Sequence, residues 1–184
     1  MTFDDTPTDP EAHRVPRSHL PFPVIGIGAS AGGLAALQRL LEKLPPDSGM
    51  ALVVVMHLSP DHQSALGSIL QRAGKVPVVT VTATTPIKAN HVYVIAPSHR
   101  LVMSDGLLQV SPVSTLAGRR QSIDLFFRSL AQAHRERAIA IVLSGTGSDG
   151  AQGLRRIKEL GGSGNAMCLA FSQRCSSLSA ISST

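Results

Sequence analysis

Three loops hold the residues able to do chemistry. The first, Gly28-Ala29-Ser30-Ala31-Gly32-Gly33, satisfies the pattern G-x-S-x-G. The short apolar run Val24-Ile25-Gly26-Ile27-Gly28 leads into it, and Leu34, Leu37, Leu40, Leu41 and Leu44 follow at helical spacing. A serine on a sharp strand-to-helix turn presents its Oγ at the carboxyl end of a sheet, and the free N–H groups of the helix start stabilise an anion. Such a loop carries a nucleophile and half of an oxyanion hole. Two other readings fit the same residues. Gly26, Gly28 and Gly32 have a dinucleotide-type spacing, which asks for an acidic residue at the tip of the second strand. That tip reads Met56-His57-Leu58. Ser30 as a helix N-cap without chemistry is the third reading. The loop alone leaves the three level.

His57 and Asp149 supply the other two loops. His57 directly follows the apolar run Ala51–Met56, at the carboxyl end of what should be a neighbouring strand. Open α/β sheets gather their active sites along that edge. A lone histidine there more often closes a strand by a hydrogen bond, but a serine and a histidine at adjacent strand ends form a candidate pair. Ser144-Gly145-Thr146-Gly147-Ser148-Asp149-Gly150 follows a further buried run, Ala138–Leu143, and opens a helix. Asp149 is either an N-cap or the carboxylate that orients His57 and fixes the tautomer able to accept the Ser30 proton. Ser144, Thr146 and Ser148 read as loop hydrogen-bonders. His13 and His19 fall in the leader, while His62, His91, His99 and His134 lie beside turns or on polar helix faces, where exposed histidine is expected. No HxxxH or HExxH spacing occurs, so no metal site is expected.

The elements that must position these loops alternate. Strands are expected at 24–28, 51–56, 76–81 and 138–143, and helices over about 34–44, 64–72, 122–134 and 150–160. Short strands at 91–96, 100–103 and 107–110, around the turn Asp105-Gly106, form a local antiparallel excursion. The fold expected is α/β: a three-layer αβα domain with a mainly parallel sheet. Composition agrees, with 43% apolar and 16% charged residues and only 3% aromatics in 184 residues, so Val, Ile, Leu and Ala must build the core.

Residues 1–22, polar and without periodicity, read as a flexible leader, 23–162 as the domain, and 163–184 as an atypical, serine-heavy tail in which 166–171 could form a strand. The leader has no apolar core of a signal peptide, and no run reaches membrane-spanning length. Cys168 and Cys175 form no CxxC or metal-spaced pattern and suit a reducing compartment. A cytoplasmic location without membrane insertion is expected. The net charge of +5 is scattered, without basic and aromatic residues interleaved. It suits an acidic protein partner better than nucleic acid.

Taken together, the motifs resemble the catalytic domain of the chemotaxis protein-glutamate methylesterase (CheB) family. The matching segments are VIGIGASAGG (24–33), VVVMHLSPDH (53–62), HVYVIAP (91–97), QSIDLFFRSLA (121–131) and VLSGTGSDGAQGL (142–154), spread in register from about residue 23 to Gly162. The order Ser, His, Asp along the chain also matches. The resemblance implies Ser30 as nucleophile, His57 as general base and then acid, Asp149 as the residue orienting His57, and backbone N–H groups of Ala31 and Thr146 as the oxyanion hole. It implies no cofactor, a methylated chemotaxis receptor as substrate, a role in signal transduction, and in some members glutamine deamidation.

Two departures modify these expectations. Only the leader precedes the domain, where the family's best-known architecture has a phosphorylatable receiver, so control by phosphorylation in cis is not expected. The chain is closer to the esterase module that heads fused esterase–methyltransferase proteins. Beyond Gly162 the family's Ala-Gln-Asp and Gly-Met-Pro segments are missing, as truncation or a shifted reading frame would produce. An inactive receptor-docking module is therefore the main alternative to an active esterase, and a dinucleotide-binding domain the lesser one.

Overall fold

A computed structural model describes residues 15–57, 60–96, 99–112, 122–143 and 149–167, with side chains described at all of these except Ala31, His57, 60–64, 166 and 167. Apolar runs become strands wherever both of their faces find cover. β1 (Val24–Ser30), β2 (Ala51–His57), β3 (Val78–Val81), β5 (His91–Ile95), β8 (Ala138–Leu143) and β9 (Ser163–Met167) form one six-stranded sheet in the order β3-β5-β2-β1-β8-β9. Every pairing in it is parallel. β4 (Thr85–Pro86), β6 (His99–Ser104) and β7 (Leu107–Pro112) make the small antiparallel sheet, in the order β4-β7-β6. The expected α/β class, with a parallel sheet and an antiparallel excursion, is the architecture found.

The helices are α1 (Leu34–Lys43), α2 (Pro60–Ala73), α3 (Ser122–His134) and α4 (Ala151–Glu159). The strands divide their side chains between two cores, as a period of two requires. Leu52, Val54 and Met56 join Leu37 and Leu41 of α1 and Leu66 and Leu70 of α2 on one face. Ala51, Val53 and Val55 join Phe126, Phe127 and Leu130 of α3 and Ile157 of α4 on the other. The second core continues under Leu101, Met103 and Leu108 of the small sheet. These three layers bury the central strands on both faces, and for that reason β2 reads as a continuous apolar run.

Residues 15–22, read as part of a flexible leader, lie against this second core. Val15, Leu20 and Phe22 pack on it, Ser18 N–H donates to the Ala133 carbonyl at 2.7 Å, and the Pro16 carbonyl accepts from Asp105 N–H at 3.2 Å. Three isolated apolar residues carry no periodic signal, yet each finds a place on the surface formed by α3 and the β6–β7 turn. His134, expected to be exposed, is 3% exposed beneath this strap. Its Nε2 pairs with the Phe22 carbonyl at 2.8 Å, and burial holds its pKa below the ordinary histidine value. The bond to Phe22 opposes that shift, and the charge of Arg137 adds to it.

Candidate functional site at the carboxyl edge of the sheet

Because all six strands run the same way, their carboxyl ends share one edge. Ser30 closes β1 and His57 closes β2, and the two are register partners. Their Cα atoms therefore sit about 4.8 Å apart, the spacing of neighbouring strands. The chain leaves β1 toward β2 on one side, while β8 lies on the other side of β1. α1, which follows β1, covers one face, and α4, which follows β8, covers the other. A crevice opens at such a topological switch point, outside the carboxyl ends. Ser30, at the end of β1, stands beside it.

Ser30 is half-buried, and a 3-10 turn, Ala31–Gly33, runs directly from it into α1. The turn can be this tight only because Gly33 has no side chain: a Cβ there would stand 2.2 Å from the Leu143 carbonyl oxygen at the end of β8. Alternation places Ser30 in the row of Gly26 and Gly28. This row faces α3, since a Cβ on Gly26 would meet Phe127 and Leu130, and one on Gly28 would lie 2.4 Å from Ile123 Cγ2. Position 57 continues the row of Val53 and Val55, which belong to the same core as α3. The His57 side chain lies outside the described ones, as does the whole of Thr146. Ala31 begins the 3-10 turn, where an oxyanion-hole N–H was expected.

Asp149 stands one residue before the N-cap of its own helix. Gly150 occupies the N-cap position of α4, at φ +97° and with no side-chain cap bond. The Asp149 carboxylate reaches across to α3, where Oδ2 accepts from Ile123 N–H at 3.1 Å and Oδ1 from Asp124 N–H at 2.9 Å. These are donors that an isolated helix leaves without partners, and a carboxylate suits that positive end. Asp124 returns the arrangement: its Oδ1 accepts from Gly153 N–H in the first turn of α4 at 2.6 Å. Two adjacent helix N-termini thus exchange carboxylates. Both are tied to the crevice by Ile123, whose side chain packs over Gly28 of β1 and Gly150.

Asp124 and Ile123 had no assigned part in the sequence reading. The signal available was Ser122-x-Asp124 at the start of a helix, a capping pattern whose partner helix the sequence does not name. Ser30, position 57 and Asp149 are brought to one edge of the molecule, two by strand pairing and one through α3. Among the described residues no three His, Cys, Asp or Glu side chains stand close enough to hold a metal ion, and no helix is long and apolar enough to cross a membrane.

Comparison with known proteins bears on the fold and the family. The CheB methylesterase family model matches residues 25–174, a span that includes all five candidate residues. A protein-glutamate methylesterase/protein-glutamine glutaminase of Myxococcus xanthus is 37% identical over 141 residues, 76% of this chain and 40% of that protein. One of the same description from Anaeromyxobacter dehalogenans is 36% identical over 140 residues, 76% of this chain and 41% of that protein. The chain thus spans about two fifths of those two relatives, while a Leptospira interrogans relative, 33% identical, is matched over 74% of its length. The crystal structure of the Thermotoga maritima CheB methylesterase catalytic domain superposes with a TM-score of 0.72, covering 82% of this chain and 84% of that one at 24% identity. With most of its length matched by one family model and its fold shared, this chain belongs to the CheB methylesterase family.

Proposed function

We propose that this chain is a serine esterase that hydrolyses glutamate γ-methyl esters on a chemotaxis receptor, acting in the cytoplasm. The observation that carries the reading is the register pairing of Ser30 with His57 at the carboxyl edge, inside the span that matches the family. In the first step Ser30 Oγ attacks the ester carbonyl carbon while His57 takes its proton. Collapse of the tetrahedral intermediate expels methanol, which leaves with the proton from His57, and a glutamyl ester of Ser30 remains. Water, deprotonated by His57, attacks that ester and releases the free glutamate and Ser30. Asp149 holds His57 in the required tautomer, and N–H groups of Ala31 and Thr146 receive the oxyanion, each contributing about 2.7–4 kcal/mol to the barrier. A glutamine side chain passes through the same acyl intermediate with ammonia as the leaving group.

Two features support these roles. Ser30 shares a face with α3, and the Asp149 carboxylate is fixed on the first turn of that helix. The test is methanol release from membranes that carry methyl-labelled receptors. The full chain releases methanol and Ser30→Ala does not. A folded wild-type chain that binds the receptors and releases nothing would make it a docking module instead.

A further inference from the structure

The outer side of α3 and α4, away from the strand ends, carries an unusual concentration of arginine. Arg128, Arg155 and Arg156 line a groove along the seam of the two helices. Through Gln132 and Arg156 it runs on into a depression beside the N-terminal strap, lined by Arg17 and Arg135. Arg17 and Arg135 in turn border a third, which adds Arg137. Six guanidinium groups face two carboxylates, Glu136 and Glu159, along this connected surface. Among the described residues one ion pair lies in it, Arg156 to Glu159 at 3.0 Å. Arg128 donates to a neutral partner, Gln152.

Arg135 stands where the depressions meet. Its φ of +50° is a left-handed conformation, uncommon for arginine. Its Nε is buried with no hydrogen-bond partner among the described residues.

The lining indicates the chemistry of what arrives. No Phe, Tyr or Trp lines any of the three depressions, and the two rings present, His19 and the buried His134, border only the third, so the groove along the helices offers no platform on which bases could stack. Glutamines and two glutamates interrupt the positive charge, which disfavours an unbroken phosphate chain. Arginine forks match discrete carboxylates bidentately. α3 has 13 residues, so the groove has a rigid wall about 20 Å long. A helix of similar length can lie along it.

We propose that this arginine groove docks an acidic α-helical segment of the partner protein. Binding stands independently of the chemistry at Ser30. Only the identification of the partner as the ester-bearing protein rests on the proposed function, since a helix held along α3 and α4 is delivered toward the edge where both helices begin.

The test uses the full chain and a fluorescent glutamate-rich helical peptide of about 16 residues, read by anisotropy. Wild type binds, and binding weakens as salt rises. Arg128→Gln/Arg155→Gln/Arg156→Gln weakens it about tenfold or more. Arg155→Glu alone, at an exposed position, shifts affinity the same way and guards against a folding defect in the triple variant. On methylated receptor the triple variant raises KM, while hydrolysis of a small glutamyl methyl ester is unchanged. The proposal is overturned if wild type does not bind the peptide, if the variants bind as tightly, or if an oligonucleotide of equal charge binds more tightly. Because binding is read without turnover, a chain with no esterase activity still tests it.

Discussion

Asp149 joins two tasks in one carboxylate. Both of its oxygens accept backbone N–H groups of α3, so whatever it does for His57 depends on where that helix begins. Asp149→Ala leaves two donors of the α3 first turn without acceptors and costs about 1–3 kcal/mol, readable by urea unfolding. Asp149→Asn keeps one accepting oxygen and so keeps more of the stability. Ester hydrolysis nevertheless falls by about 10⁴ in the Asn variant if the carboxylate sets the His57 tautomer. A variant that is stable and inactive separates the two tasks; one whose activity follows its stability leaves Asp149 as a cap. Asp124 holds the other end of the exchange. Asp124→Ala is expected to cost about 1 kcal/mol, a melting point lower by about 2–4 °C in a domain of this size. Asp124→Asn restores most of it, because an amide oxygen still accepts from Gly153 N–H.

The elements were largely legible in the sequence. Continuous apolar runs marked β2 and β8, and the helical pattern over 122–134 marked α3 end to end. The carboxyl tips of β1 and β2 extend to Ser30 and His57, two residues and one residue beyond the apolar runs. Polar side chains end a hydrophobic pattern before the backbone pairing ends. β4, two residues including a proline, has too little pattern to be seen and exists because β7 offers it an edge. The exchanged caps were illegible for a different reason. Asp149 and its two donors are 25 and 26 residues apart in sequence, and nothing local tells a carboxylate which helix end it will meet. Packing at the strand ends is close enough to be tested. Gly33→Ala drives a methyl group into the Leu143 carbonyl. It is expected to destabilise by about 1–3 kcal/mol or to shift the 3-10 turn, carrying Ser30 with it. Calorimetry and activity assays on the same variant distinguish the two.

For the molecule as a whole, the strap over 15–22 matters more than its weak sequence pattern suggested. By covering α3 it buries His134, whose Nδ1 has no partner among the described residues. Folding therefore favours the neutral imidazole, and the folded-state pKa lies below the ordinary value of 6.5. Below about pH 6.5 the unfolded chain takes up the proton first. The stability due to neutral His134 is thus complete above that pH and declines as the pH falls through the lower folded-state value. Unfolding midpoints measured between about pH 7.5 and pH 5 are expected to fall in wild type and to fall less in His134→Gln. Equal slopes would mean that the strap does not shield the ring.

Activity of the whole molecule turns on the proposed Ser30–His57 pair at the carboxyl edge. The most direct test is methanol release from a glutamyl γ-methyl ester peptide by the full chain and by Ser30→Ala. Wild type is expected to turn the ester over, and Ser30→Ala to lose a factor on the order of 10³ or more. Turnover by Ser30→Ala at the wild-type rate would contradict it, because the nucleophile would then lie elsewhere.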